Sequence, residues 1–382
     1  MSEIKVNSIK GVGASAAAIT VNNTDGTCTA NITNNLSNRN LIINGAMQVA
    51  QRGTSVTNIS TEAYHTLDRF NLFTENSAGR LTMSQVADVH DGFAKALKLE
   101  CTTADTSIAS NETLGIQQKI EGQNLQSIQK GSSDAKQLNL SFYVKGNANA
   151  TYTCELRDID NNRINTQTFN VTSSWTKVSL TFAADTTGTF DDDNANSLQI
   201  TWWLHAGSDY TSGTFATNTW ATRVNANRVN SSSTSFFDST SRTFFMTGVQ
   251  LEVGSVATDF EHRSFGQELA LCERYCQVIA EGANRYFATS FAYNSSLAIG
   301  CFTYKTQMRS EPSLIQTTGT NYYFLAQANT IHNFTEFEAL SHVGKHASGI
   351  YPKTSQISVT QGQAGGISTV NAAAKILLSA EL

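Results

Sequence analysis

Charge is scarce in this sequence, and nowhere is it gathered. Only 15% of the 382 residues are Asp, Glu, Lys or Arg, and the formal net charge is −5 with no run of Lys or Arg; ordinary soluble domains carry roughly 25% charged residues. A phosphate backbone must be neutralised by several basic side chains held together, so nucleic acid is excluded as a partner, and attraction to an anionic membrane surface is disfavoured likewise. No stretch approaches the ~20 apolar residues of a spanning helix. Residues 1–10 lack the charged start and apolar core of a secretory leader, so synthesis in a cytoplasm and a soluble chain are expected.

Signatures of chemistry are missing as well. The six cysteines, at 28, 101, 154, 272, 276 and 301, include no CxxC and no zinc-site spacing, and reduced, buried thiols are expected. No HExxH, GxSxG, GxGxxG or P-loop is present. Glycosidase chemistry needs two carboxylates about 5 to 10 Å apart across a cleft, but the acidic run Asp191-Asp192-Asp193 sits among turn residues, where adjacent carboxylates face water. Asp158-x-Asp160-x-Asn162 opens like a calcium loop, yet Arg163 stands where Gly is needed and Phe169 where Glu is needed. A hairpin turn is expected there. The reading is of a non-enzymatic protein with no metal and no cofactor.

What the sequence has is alternation. At 382 residues it exceeds the about 250 to 300 residues at which one core stops growing, so two domains are expected. Polarity comes from Asn, Ser, Thr and Gln, which suit β-rich surfaces and neutral hydrogen-bonding partners such as sugars as well as plain structural fibres. Eight runs, 80–86, 94–100, 114–121, 137–145, 151–158, 177–183, 198–205 and 243–253, alternate apolar and polar residues between Gly/Asn/Asp/Ser turns. Eight such strands without helical periods predict an antiparallel two-sheet jelly roll, with Leu138, Leu140, Phe142, Val178, Leu180 and Phe182 in its core. A second, smaller β-sandwich is read over residues 283–382.

Between the two the period changes. Phe265, Leu269, Cys272, Cys276 and Ile279 fall four, three, four and three apart, one stripe of a helix predicted over 264–282. Ser264 with Gln267 three residues on is a capping box. The stripe is either a two-heptad seam between chains of a homotrimer or a face packed on its own jelly roll.

Binding is best sought among aromatics. Trp202 and Trp203 are consecutive in a strand, so one faces the core and the other the opposite surface. Tyr210, Trp220 and Arg223 follow in a loop, residues 208–240, far longer than the usual connection of about two to six residues, and such loops tend to be functional. Sugar rings stack on exposed aromatics while polar side chains satisfy the hydroxyls, which makes these five the candidate ligand residues. The competing reading packs the outward Trp under the loop or at a subunit contact.

Three segments carry a family resemblance: NLIINGAMQVAQRGTS with YHTLDRF near the start, GVQLEVGSVATDFEHRSFGQELALCERY at the junction, and KTQMRSEPSL beyond it. Together they resemble bacteriophage tail-fibre and receptor-binding proteins over roughly residues 38–382. The resemblance implies a carbohydrate-binding-module-like jelly roll, a homotrimer, and a place on the outside of a phage particle assembled in the host cytoplasm. On that reading residues 1–37 are an arm anchoring the chain to other virion proteins, 38–263 the jelly roll, 264–282 the helix and 283–382 the second β domain, with host surface polysaccharide as ligand. A head fibre or capsid decoration protein, and a glycan-degrading tailspike, are the alternatives. Tailspikes usually show parallel β-helix repeats, and none is visible.

Overall fold

The computed structural model describes residues 8–10, 19–21, 28–30 and 38–382. Most of the arm predicted over 1–37 lies outside these. Three short strands, β1 (Ser8–Ile9), β2 (Ile19–Val21) and β3 (Cys28–Ala30), pair antiparallel in that order.

The first domain is an antiparallel jelly-roll sandwich of two six-stranded sheets. In chain order its strands are β4 (Ser55–Ile59), β5 (Asn71–Glu75), β6 (Arg80–Val86), β7 (Ala96–Thr103), β8 (Thr113–Glu121), β9 (Leu138–Gly146), β10 (Ala150–Asp158), β11 (Arg163–Val171), β12 (Thr176–Phe182), β13 (Asn196–Ala206), β14 (Ala221–Thr222) and β15 (Thr243–Val253). One sheet runs β14-β11-β10-β13-β8-β5 and the other β12-β9-β15-β7-β6-β4. Alternation decides which side chains meet between them. Leu198, Ile200, Trp202 and Leu204 of β13 are fully buried, and Phe142 of the facing sheet stands edge-on to Trp202 at 5.8 Å and to Phe169 at 5.2 Å. Leu138, Leu140, Leu180 and Phe182 are core as predicted, while Val178 is a half-buried flank.

The calcium-like spacing is indeed a hairpin: Asp158 pairs with Arg163, and Asn162 closes the turn at φ 52°. The protein's own ammonium takes the place of a cation. Lys130 Nζ lies 2.5 Å from Asp158 and 3.2 Å from Asp185, all three side chains being almost wholly buried.

Helix α2, the second helix after a single turn named below, is shorter than predicted. It spans Phe265–Glu273, with the Ser264/Gln267 capping box formed, and the chain then enters strand β16 (Cys276–Glu281). β16 pairs with residues a hundred positions on, Cys276 opposite Ser379, and this long-range pairing of a segment that holds the β-branched Val278 and Ile279 overrides the local helical period. The two-heptad seam therefore does not exist as read. Phe265 is 56% exposed and Leu269 half-buried, Cys272 is buried within the chain, and Cys276 and Ile279 belong to a strand of the second domain.

That domain begins at Cys276 rather than 283. After β16 come β17 (Tyr286–Ala292), β18 (Ala298–Thr303), β19 (Ser313–Gln316), β20 (Tyr323–Gln327), β21 (Thr330–Phe334), β22 (Phe337–Ser341), β23 (Ala347–Pro352), β24 (Ala364–Thr369) and β25 (Lys375–Ser379). They form a three-stranded sheet, β16-β25-β19, and a seven-stranded one, β21-β20-β24-β17-β18-β23-β22. Tyr323, Phe334 and Phe337 pack ring to ring in its core.

The segments that carry the family resemblance meet at the joint between the domains. Gln51 accepts from Val278 N at 3.2 Å and donates to Cys276 O and Asp68. The Arg69 guanidinium is 1% exposed, pairs with Glu381, donates to Lys119 O at 2.6 Å and lies 3.5 Å from the Tyr275 ring centre. Arg274 grips Glu121 through two bonds of 2.8 and 2.6 Å. Arg309, of the Met-Arg segment, donates to Ala380 O, Glu381 O and Asn194 O. Each bond satisfies a polar group that closure of the joint removes from water.

Candidate functional site

The outer face of the β14-β11-β10-β13-β8-β5 sheet carries three cross-strand rows. Thr153, Trp203, Gly115 and Phe73 form the first, Glu155, Thr201, Gln117 and Asn71 the second, and Arg157, Gln199 and Lys119 the third. Every second residue of each strand points this way, so the residues opposite the core side chains build the floor. Gly115 is needed in the first row. A Cβ there would sit 2.4 Å from the Phe73 ring, and its absence lets Phe73 reach Trp203, edge to face at 5.0 Å.

The long loop after β13 folds over one end of this floor. It begins with the single helical turn α1 (Ser208–Thr211) and is tied back by Val229 N donating to Tyr210 O at 3.0 Å. Tyr210 lies 5.4 Å from Trp203. The Arg228 guanidinium sits 4.6 Å from the same ring and pairs in a fork with Glu155 at 2.7 and 2.8 Å. Between loop and floor runs a groove of about 320 Å³, lined also by Arg223, Asn225, Arg157, Gln117 and the rim acids Glu62 and Glu75, within the roughly 300–1,000 Å³ of small-ligand sites.

The five candidate ligand residues are split. Trp203, Tyr210 and Arg223 line the groove. Trp203 is 2% exposed, so it is the covered outward Trp of the competing reading, supporting Tyr210 rather than offering an open face. Trp202 faces the core and Trp220 packs at its edge, donating Nε1 to Ala183 O at 2.8 Å; neither reaches the groove. Sequence reasoning missed Phe73, Gln117, Lys119, Arg157, Gln199 and Arg228. For the five on strands the signal was parity, because each strand's outward residues are those out of step with its core residues; Arg228 stands on the long loop, where no parity applies.

Three donors in this groove make no hydrogen bond within the described protein: Trp203 Nε1, Arg157 Nε and Arg223 Nε, each with its atom shielded from solvent. A shielded donor without an acceptor costs about 1–3 kcal/mol. Arg157 also has no acidic partner among the ion pairs of the described residues. Burial, with the neighbouring guanidinium groups of Arg223 and Arg228, pushes its pKa down to about 10. Burial and then Arg228 lower Arg223 too. Among the described residues no cluster of three or more His, Cys, Asp or Glu could hold a metal ion.

No protein-family model matches the chain, and no curated protein matches it. Solved structures similar to it include a CBM4 module, 15% identical over 55% of this chain and 98% of that one with a TM-score of 0.28. Another is the family 11 carbohydrate-binding module of a cellulosomal cellulase from Clostridium thermocellum, 13% identical over 54% and 99% with a TM-score of 0.27. A third is the enzymatically active domain of tailspike protein 4 of bacteriophage CBA120, 12% identical over 56% of this chain but 22% of that one, with a TM-score of 0.29. Strand order and register, rather than these alignments, define the jelly roll.

Proposed function

We propose that this chain is a non-enzymatic attachment protein on the exterior of a phage particle, a tail fibre or receptor-binding protein, and that it holds host surface polysaccharide in the groove over β10, β13, β8 and β5. The observation that carries the reading is the juxtaposition of an accessible ring, Tyr210, with two guanidinium groups, Arg157 and Arg223, that have no carboxylate partner among the ion pairs of the described residues, and a row of neutral amides, Gln117 and Gln199. Sugars present apolar ring faces and hydroxyl acceptors together, which is what such a surface needs. In this proposal the N-terminal arm joins the particle and the protein is a homotrimer. Its contacts between chains come from the arm and from exposed apolar residues around α2, such as Phe265 and Leu271.

The test is titration calorimetry of the full chain with host surface polysaccharide, beside a reducing-end assay on the same mixture. Saturable binding without new reducing ends is expected, and Tyr210→Ala should weaken it several-fold to about tenfold, the scale of one aromatic contact. Binding unaltered in Tyr210→Ala would remove the groove from the reading. A steady rise in reducing ends after repurification would replace attachment by depolymerisation.

A further inference from the structure

We propose that the groove selects anionic polysaccharide, with a sugar carboxylate seated between Arg157 and Arg223. This rests on the glycan-binding reading above and narrows its ligand class. The third cross-strand row places Arg157 beside Gln199 and Gln199 beside Lys119, while the loop brings Arg223 and Arg228 to the same end. Arg228 is already spoken for, since Glu155 takes its fork with both oxygens. Arg157 and Arg223 are not. The Arg223 side chain donates to neutral Asn225 at 2.6 Å, and the Arg157 side chain makes no hydrogen bond among the described residues, each leaving its Nε shielded and unmatched. The acids of the lining, Glu62 and Glu75, come from β5 and the segment before it, at the other edge of the sheet from β10. Glu62 already accepts from Asn71 at 3.0 Å.

Guanidinium groups present planar pairs of N–H donors that match a carboxylate in two parallel bonds. Two of them facing one groove, in a chain of net charge −5, are a local departure from the charge of the whole. Burial first, and then repulsion from Arg223 and Arg228, lower the pKa of Arg157. A bound carboxylate relieves that repulsion by accepting from the outer Nη groups of the two guanidinium groups. Gln199 and Gln117 remain for hydroxyls, and Tyr210 for the ring face.

The experiment measures binding of the full chain to two probes, a polyuronate oligosaccharide (alginate) and a neutral β-glucan oligosaccharide (laminarin), at about 50 and 300 mM NaCl. Expected is at least tenfold tighter binding of the uronate at low salt, narrowing at high salt as exposed charge is screened. Arg157→Gln and Arg223→Gln should each lower uronate affinity at least tenfold and laminarin affinity by a smaller factor, so that the preference for the uronate shrinks in each, with tryptophan fluorescence and circular dichroism unchanged. Laminarin bound as well as or better than the uronate overturns the anionic preference but keeps the glycan groove. A preference that survives in both Arg→Gln variants overturns the assignment to these two residues. Binding of neither probe, nor of host polysaccharide, removes the glycan reading itself. Should Arg157→Gln not fold, Arg223→Gln alone decides, because Arg223 lies on the loop and not in the sheet.

Discussion

Replacing Glu381 by Ala should loosen the two domains from one another. Glu381 is the shared partner of two guanidinium groups, Arg69 and Arg52, whose side chains are 1% and 8% exposed. Removing it leaves both cations shielded with less to balance them. Breaking a buried ion pair from one side costs about 3–5 kcal/mol, against about 0–1 kcal/mol for an exposed pair, so the position on that scale reports whether the joint is dry. Arg69 retains Lys119 O and the Tyr275 ring, and Arg52 retains Asp68 at 3.9 Å, which places the expected loss toward the lower end, about 3 kcal/mol. All four tryptophans, at 175, 202, 203 and 220, lie in the jelly roll. Tryptophan fluorescence therefore follows that domain alone, while far-ultraviolet circular dichroism follows both. In the parent protein the two denaturation curves should coincide; in Glu381→Ala the dichroism curve should move to lower denaturant first and separate from the fluorescence curve. The pair Arg69→Met with Glu381→Leu should recover most of the loss, since it removes charge from both sides. A loss below about 1 kcal/mol with coincident curves would refute the account of a dry, coupled joint.

Other outcomes follow from the same geometry. Lys130→Met, which leaves the buried Asp158 without a cation while Asp185 keeps the fork from Arg163, should cost about 3 kcal/mol in denaturant unfolding followed by fluorescence, and a cost near zero would mean that water reaches this cluster. Two joint carboxylates should give stability opposite slopes with pH. Burial alone would raise Glu121, but hydrogen bonds from Arg274 and Tyr275 hold it below its ordinary 4.5, so its contribution is present above that pH and lost as pH falls through the lowered value. Asp68 is pushed up to about 6 by burial, so its contribution declines as pH rises from 3.8 toward 6; Glu121→Gln should flatten the acid limb and Asp68→Asn the other, as read by unfolding midpoints across pH 3 to 7. Thiol titration should label Cys301 at once and spare Cys101, Cys154, Cys272 and Cys276 until unfolding, because these four are buried and Cys301 is not.

The sequence was legible wherever structure is written locally. Alternation placed eight strands within a few residues of their observed bounds, and Ser264 with Gln267 marked a helix start that the structure keeps. It failed where a distant partner decides. The pairing of Cys276 with Ser379 ends the helix, and no local pattern announces it. Strand β11 escaped because its inward positions include Asn165 and Gln167 beside Phe169 and Val171, which blurs the alternation. The groove was half legible for a similar reason. Trp203, Tyr210 and Arg223 stand close in sequence, but the row Arg157, Gln199, Lys119 draws one residue from each of three strands and comes into being only through their register.

The joint and the groove differ in how they tolerate change. Gln51, Asp68, Arg69, Glu121, Tyr275, Arg309 and Glu381 interlock across segments hundreds of residues apart, so a substitution on one side demands its counterpart on another. The loop that roofs the groove is anchored by Arg228 on the buried Glu155 and by Trp220 at the edge of the core. With those two anchors kept, the remaining residues of 208–230 can be rewritten and the groove retailored while the frame stays whole. A laboratory graft of that loop should travel between relatives where a cut through the joint would not.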